Sequence, residues 1–337
     1  MSDLLVGEPS RAAGDLAVAL EAVPLFAGMS GEDLRDVASA FTPVELDAGE
    51  VLWRQASPVD GLHVLLHGDV RVCRRIPGER EIEIARLGPG AVMGEIPLLG
   101  GGTRSATVRT ASRCAVAFLP REDFHARVQL GSPGALILKR NIVEVACARI
   151  RDDHASLAAA LEREAGPMWG GLPASSHGRA EAAAPPPSPA YMSHLPFFRH
   201  LGPGGAAALL EGGETRQVAP GAVILEEGEI PERCYVILNG AVEDVLRRGP
   251  RAIRVRFAGP GRAVAYLGLL DGGAASATSV ARERTRALVI PAEHVRARLR
   301  GDGDVARAFT AAVEHDLMHA LRSTASPKQH LAAGGAP

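Results

Sequence analysis

The chain is 337 residues long, 46% hydrophobic and 23% charged, with a formal net charge of -2. That length suits two hydrophobic cores, and the near balance of charge lacks the basic excess by which nucleic-acid binders hold phosphates. Cys73, Cys114, Cys147 and Cys234 are scattered without a C-x-x-C pair, which argues against a disulfide framework or a thiolate metal site, and no run nears the roughly 18 apolar residues of a membrane span.

The opening residues, MSDLLVGEPSRAAGD, show no charged-then-apolar leader, so the expected location is the cytoplasm. From residue 14, Leu16, Ala19, Leu20 and Val23 keep helical spacing until Pro24-Leu25-Phe26 turns the chain. Ser30 is placed to cap a second short helix, with Glu32 and Asp33 in its first turn and Leu34, Val37 and Phe41 on its buried side. From Val44 the period changes to two. Val51 and Trp53, Leu62, Val64 and Leu66, Val70 and Val72, Ile82 and Ile84, then Cys114, Val116 and Phe118 alternate with polar residues, and glycines mark the turns between them. Many short strands with regular turns predict a mainly β fold with flanking helices, a double-sheet jelly roll or small barrel.

Within this region Leu87 to Thr110 reads LGPGAVMGEIPLLGGGTRSATVRT. An acid, Glu95, follows Gly94, and Arg104 follows a glycine-rich turn and opens a strand-like alternation. This set suits a cyclic phosphate diester. A ribose hydroxyl needs an acceptor, a phosphate needs a bidentate cation, and glycine lets a ligand approach the backbone closely.

Gly94, Glu95, Leu98, Leu99, Arg104, Ser105, Ala106 and Val108 fall in the order G-E-x-x-L-L … R-x-A-x-V. The stretch thereby resembles the phosphate-binding cassette of the cyclic-nucleotide-binding domain family. The resemblance implies that Glu95 accepts from the ribose 2′-hydroxyl and that Arg104 pairs the phosphate, with Ser105 and the amides near Gly94 assisting. Gly94, Glu95, Ile96, Arg104 and Ser105 are the candidate ligand-binding residues. A glycine-rich turn followed by an amphipathic strand with a surface arginine is the plainer reading.

Residues 134 to 164 predict a long helix with Leu138, Ile142, Val145, Ile150, Leu157 and Leu161 on an incomplete apolar stripe. It either packs on its own barrel or acts as a hinge or dimer helix that lids the nucleotide base, with Arg149 or a neighbour meeting the base; a homodimer through this helix is kept open. Residues 166 to 190 lose periodicity and gain Pro, Gly, Ala and Ser, which reads as a linker, semi-rigid at PPPSP.

The pattern then begins again. Pro196-Phe197-Phe198 echoes Pro24-Leu25-Phe26, Gly221-Ala-Val-Ile-Leu echoes Gly49-Glu-Val-Leu-Trp, and Leu238-Asn-Gly240 echoes Leu66-His-Gly68, each 172 positions on. The chain is an internal duplication: domains at 1–165 and 191–325, with a tail at 326–337. In the second cassette Ala265 and Tyr266 replace Gly94 and Glu95, and Ala275 replaces Arg104, while Leu269, Leu270, Gly272, Gly273, Ser276 and Ala277 keep the scaffold. Each charge-assisted hydrogen bond contributes about 1.5–3 kcal/mol, so the second copy should bind a cyclic nucleotide at least about a hundredfold more weakly, with Tyr266 filling the space. The last helix carries Phe309, Val313, Leu317 and Leu321 on one face; His315 and His319, four apart without a third ligand, read as packing residues.

No nucleophile motif or phosphate loop suggests catalysis, so an enzyme is not expected. Fewer than forty residues follow about Gly303, too few for a winged helix-turn-helix. The tandem plan resembles regulatory subunits of cyclic-nucleotide-dependent kinases, yet Arg74-Arg75 is followed by Ile76-Pro77 rather than by an inhibitor sequence. The expected function is a cytoplasmic receptor for a cyclic nucleotide, cAMP rather than cGMP because Arg104-Ser105 resembles bacterial cAMP-responsive activators, that signals to a protein partner. A ligand-free interaction module with relic pockets is the alternative, and a DNA-binding regulator is less favoured.

Overall fold

The computed structural model describes residues 9–75, 81–163, 181–249, 251–301 and 303–332. Two compact units divide the chain, Met1–Val143 and Glu144–Pro337. The first opens with helix α1 (Pro9–Glu21), a 3-10 turn at Pro24–Phe26 and α2 (Gly31–Ala38). Ser30 caps α2 reciprocally: the Asp33 amide donates to Ser30 Oγ at 3.2 Å, and the Ser30 amide donates to Asp33 Oδ2 at 2.9 Å. The Ser30 hydroxyl, which donates to the same Oδ2 at 2.7 Å, and then the Ser30 amide hold the Asp33 carboxyl below its usual range.

The barrel follows as β1 (Thr42–Leu46), β2 (Val51–Trp53), β3 (Gly61–His67), β4 (Val70–Arg75), β5 (Glu81–Leu87), β6 (Val92–Met93), helix α3 (Pro97–Gly100), β7 (Thr107–Thr110) and β8 (Cys114–Pro120). It is closed by α4 (Arg121–Gln129) and the start of α5 (Pro133–Arg163). The strands form two antiparallel sheets, β1-β8-β3-β6 and β2-β7-β4-β5, the double-sheet jelly roll that the two-residue periodicity predicts. Leu65, Val70, Met93, Val108, Cys114 and Val116 fill the space between them.

The second unit repeats this plan. After β9 (Glu181–Ala183), α6 (Pro189–Met192), α7 (Pro196–Arg199) and α8 (Gly202–Glu211) come β10 (Glu214–Val218), β11 (Val223–Leu225), β12 (Arg233–Asn239), β13 (Val242–Arg248) and β14 (Arg251–Ala258). β15 (Ala263–Val264), α9 (Leu267–Asp271), β16 (Thr278–Ala281), β17 (Thr285–Pro291), α10 (Ala292–Arg300) and α11 (Asp304–Ala332) complete it. The sheets run β15-β12-β17-β10-β9 and β11-β16-β13-β14, the same strand orders with β9 added at one edge.

Three boundaries differ from those drawn on the sequence. The division between units falls inside α5, before residue 165, because the helix from Glu144 onward packs with the second unit. The expected linker at 166–190 lies outside the described residues as far as 180; beyond that, Glu181–Ala183 pairs with β10 in antiparallel register. The expected tail at 326–337 is helical as far as Ala332, where the described residues end.

Gly68 and Gly240 take φ +87 in the turns β3–β4 and β12–β13, and a Cβ on either would collide with the opposite loop, at the Arg113 carbonyl or Thr285. Gly49 has the same φ with nothing within 4 Å. Alanine at Gly68 or Gly240 should therefore lower stability by about 2–4 kcal/mol, against about 1 kcal/mol at Gly49, in urea unfolding curves.

Candidate functional site

The cassette is built by short-range geometry. β6 ends at Met93, and Gly94 turns the chain at φ +81, placing half-buried Glu95 and Ile96 ahead of α3. Leu98 and Leu99 anchor α3 in the core, and Gly101 and Gly102, at φ +67 and +118, reverse the chain toward Arg104. The Arg104 amide then donates to the Ser57 carbonyl at 2.8 Å, and the Arg104 carbonyl accepts from the Ala56 amide at 2.8 Å. The β2–β3 loop thus fixes where the arginine side chain starts.

That side chain is only 4% exposed. Nη2 donates to Asp60 Oδ1 at 2.5 Å and to the Gly61 carbonyl at 2.9 Å, and the guanidinium lies 4.0 Å over the Trp53 ring. Trp53 is itself held by its indole N–H, which donates to the Ala106 carbonyl at 3.0 Å. Nε and Nη1 of Arg104 are buried and donate to no group among the described residues. A buried cation with two such donors is chemically suited to an anion, since unpaired buried N–H groups are costly. Gly94 belongs to the same seat, because a Cβ there would collide with Arg104 Nη1. Ser105, next in sequence, is exposed.

His63 completes the surroundings, 4.8 Å from Trp53 and 4.6 Å from Phe118 between ring centroids. Burial first, and the Arg104 charge second, push its pKa down to about 4 against a smaller upward pull from Asp60. It is therefore neutral at pH 7.

The structure brings Gly94 and Arg104 into contact and sets Glu95, Ile96 and Ser105 along the same turn. Trp53, Asp60, Gly61 and His63 were not among the residues singled out from sequence. A signal existed in the repeat: Trp53, Asp60, His63 and Gly94 correspond to Leu225, Glu232, Tyr235 and Ala265, so the aromatic partner and the arginine disappear together. In the second unit these four counterparts line one small cleft. Ala265 keeps the turn at φ +60, a conformation costly for a residue with a Cβ. Tyr266, at the position of Glu95, is 1% exposed, with Arg256 at 5.8 Å from its ring and Asp316 nearby; burial and then Asp316 raise its pKa well above normal. Arg149, the arginine singled out on the long helix, is mostly exposed and lies 3.8 Å from Asp153. His315 lies tilted against His200, with ring centroids 5.0 Å apart, and among the described residues no three His, Cys, Asp or Glu gather for a metal ion.

Residues 43–129 and 215–302, one stretch in each barrel, both match the family model described as the cyclic nucleotide-binding domain, and together they span just over half of the chain. The chain belongs to the cyclic nucleotide-binding domain family. It carries two tandem copies of that domain. A cyclic nucleotide-gated potassium channel of Mesorhizobium japonicum is 32% identical over 123 residues, 36% of this chain and 33% of the channel. A lysophospholipase of Aspergillus fumigatus is 28% identical over 109 residues, 32% of this chain and 7% of that protein. The chain thus spans a third or less of the length of the curated relatives it matches. Among solved structures, the regulatory domain of Toxoplasma gondii PKA with cAMP is 17% identical, covering 89% of this chain and 96% of its own, with a TM-score of 0.33.

The neutral His63 gives a stability test. Unfolded, the imidazole titrates near 6.5; folded, near 4. Between those values the unfolded chain binds the proton first, so the stability tied to neutral His63 is present above pH 6.5 and is lost as pH falls toward 4. The wild type should lose about 3 kcal/mol over that range relative to His63→Phe, measured by urea unfolding at each pH. A difference between the two proteins that does not vary with pH would show that His63 is not held neutral.

Proposed function

We propose that the first domain is a receptor for a cyclic nucleotide, cAMP in preference to cGMP, and that it acts by changing the activity of a protein partner in the cytoplasm. The observation that carries this reading is Arg104: a residue only 4% exposed whose Nε and Nη1 have no acceptor among the described residues, beside a glycine whose missing Cβ leaves the space that Nη1 takes. A cyclic phosphate supplies the acceptors those donors lack, and Ser105 and the amides after Gly94 add to its hold. Glu95 accepts from the ribose hydroxyl. Ile82 and Ile84, 41% and 45% exposed on β5, offer an apolar wall for the base. Their counterparts Ile253 and Val255 cluster with Ala277, the counterpart of Ala106, which supports a place for the wall beside Ala106.

The second domain, lacking both the arginine and the acid, is not a nucleotide site in this reading, and the chain is not an enzyme. No described helix is long and apolar enough to cross a membrane. Ligand acts by favouring one arrangement of the protein over another, to the extent that its affinities for the two differ.

Titration calorimetry with cAMP and cGMP tests the reading. Wild type should bind one nucleotide per chain, cAMP more tightly, and Arg104→Ala should weaken binding at least a hundredfold, about 2.7 kcal/mol or more. No saturable binding of either nucleotide to the wild type would overturn it.

A further inference from the structure

The C-terminal part of α5 rests on the part of the second domain that corresponds to the nucleotide site of the first. Leu157, Ala158 and Leu161 form one buried cluster with Leu246 on β13, Ile253 and Val255 on β14, and Ala277 of the cassette. Ile253, Val255 and Ala277 are the counterparts, 171 positions on, of Ile82, Ile84 and Ala106. The wall that stands open in the first domain is covered in the second by a helix.

The polar contacts follow the same correspondence. His154 Nδ1 lies 2.8 Å from Ser276 Oγ, and Ser276 is the counterpart of Ser105. Arg151 grips the cassette from outside with both Nη atoms on Asp271, at 2.6 and 3.1 Å, and Nε on the Ala274 carbonyl at 3.2 Å. The end of the helix is held as well, its Leu161 carbonyl accepting from Arg251 Nη1 at 2.6 Å. Arg151, His154, Leu157, Ala158 and Leu161 recur at three- and four-residue spacing and form one helix stripe.

We infer that the second cassette is a receptor for an amphipathic helix, and that segment 144–163 of the chain is its resident occupant, seated where the first domain receives its nucleotide. The inference rests on the reading of the first domain for the identity of the site, and on the second unit alone for the seating. The arginine and the acid that a nucleotide requires have been replaced by alanine and tyrosine, while the leucines, glycines and serine that shape the seat remain.

The test uses the full chain with Leu157→Glu and Leu161→Glu, which set two carboxylates in the apolar seat, and a fluorescein-labelled peptide of residues 144–163 followed by anisotropy. The variant should bind the peptide saturably and at least tenfold more tightly than the wild type, whose tethered helix holds the seat at an effective concentration on the order of millimolar. A peptide carrying the same two glutamates should not bind. Equal binding of the peptide to both chains would overturn the inference. Arg151→Ala with His154→Ala keeps the apolar seat and guards against misfolding of the first variant. Its hydrogen exchange should rise at least tenfold in 144–163 and in 265–277 together, with β12 and β17 unchanged; exchange that rises in the helix alone would equally overturn it. Neither readout involves a nucleotide, so a first domain that bound none would fail calorimetry without altering either result.

Discussion

Almost everything distinctive in the first domain depends on keeping one guanidinium out of water. Arg104 is desolvated by the barrel, and a lone carboxylate, a carbonyl and the face of Trp53 offset that cost in part. Asp60 is itself 64% exposed, so the pair is held at the mouth of the site and not sealed within it. The two N–H groups of the arginine without an acceptor among the described residues are the ones that the proposed phosphate would meet. Gly94 lacks a side chain because the guanidinium needs the space, and His63 stays neutral partly because a second cation beside Arg104 is unfavourable.

The second domain is the same scaffold after that demand has been withdrawn. Its strand orders repeat those of the first, and its core is continuous through Tyr235, Ile237, Val242 and Val289. Its buried ionic group lies elsewhere, where Arg256 donates to Asp316 of α11 at 2.7 Å beside Tyr266. A jelly roll does not need its ligand chemistry to fold; the leucines of the cassette turn anchor it in both copies.

What was legible in the sequence was local. Gly94, Glu95, Arg104 and Ser105 lie within a dozen residues in a recognisable order, and the alternation of apolar residues is enough to forecast two sheets. Asp60 stands 44 positions from Arg104, in a loop that pattern alone does not single out, and Trp53 looks like any strand residue until the indole is seen under the guanidinium. The long helix shows a second limit. Its stripe tells which side chains are buried, except for exposed Val145, but not against what, and it points to Arg149 while Arg151, two residues on, is the one that grips a cassette. β9 is invisible for another reason, since Glu-Ala-Ala carries no strand preference.

The crowding between Gly94 and Arg104 also ties the two positions together. A methyl group at 94 would meet the guanidinium at Nη1, so an alanine there both strains a turn at φ +81 and pushes the arginine tip from its place. The second copy carries alanine at both counterparts, Ala265 and Ala275. Building the same arginine seat there takes two changes together: arginine at 275 alone would share its space with a methyl group, and glycine at 265 alone supplies no cation.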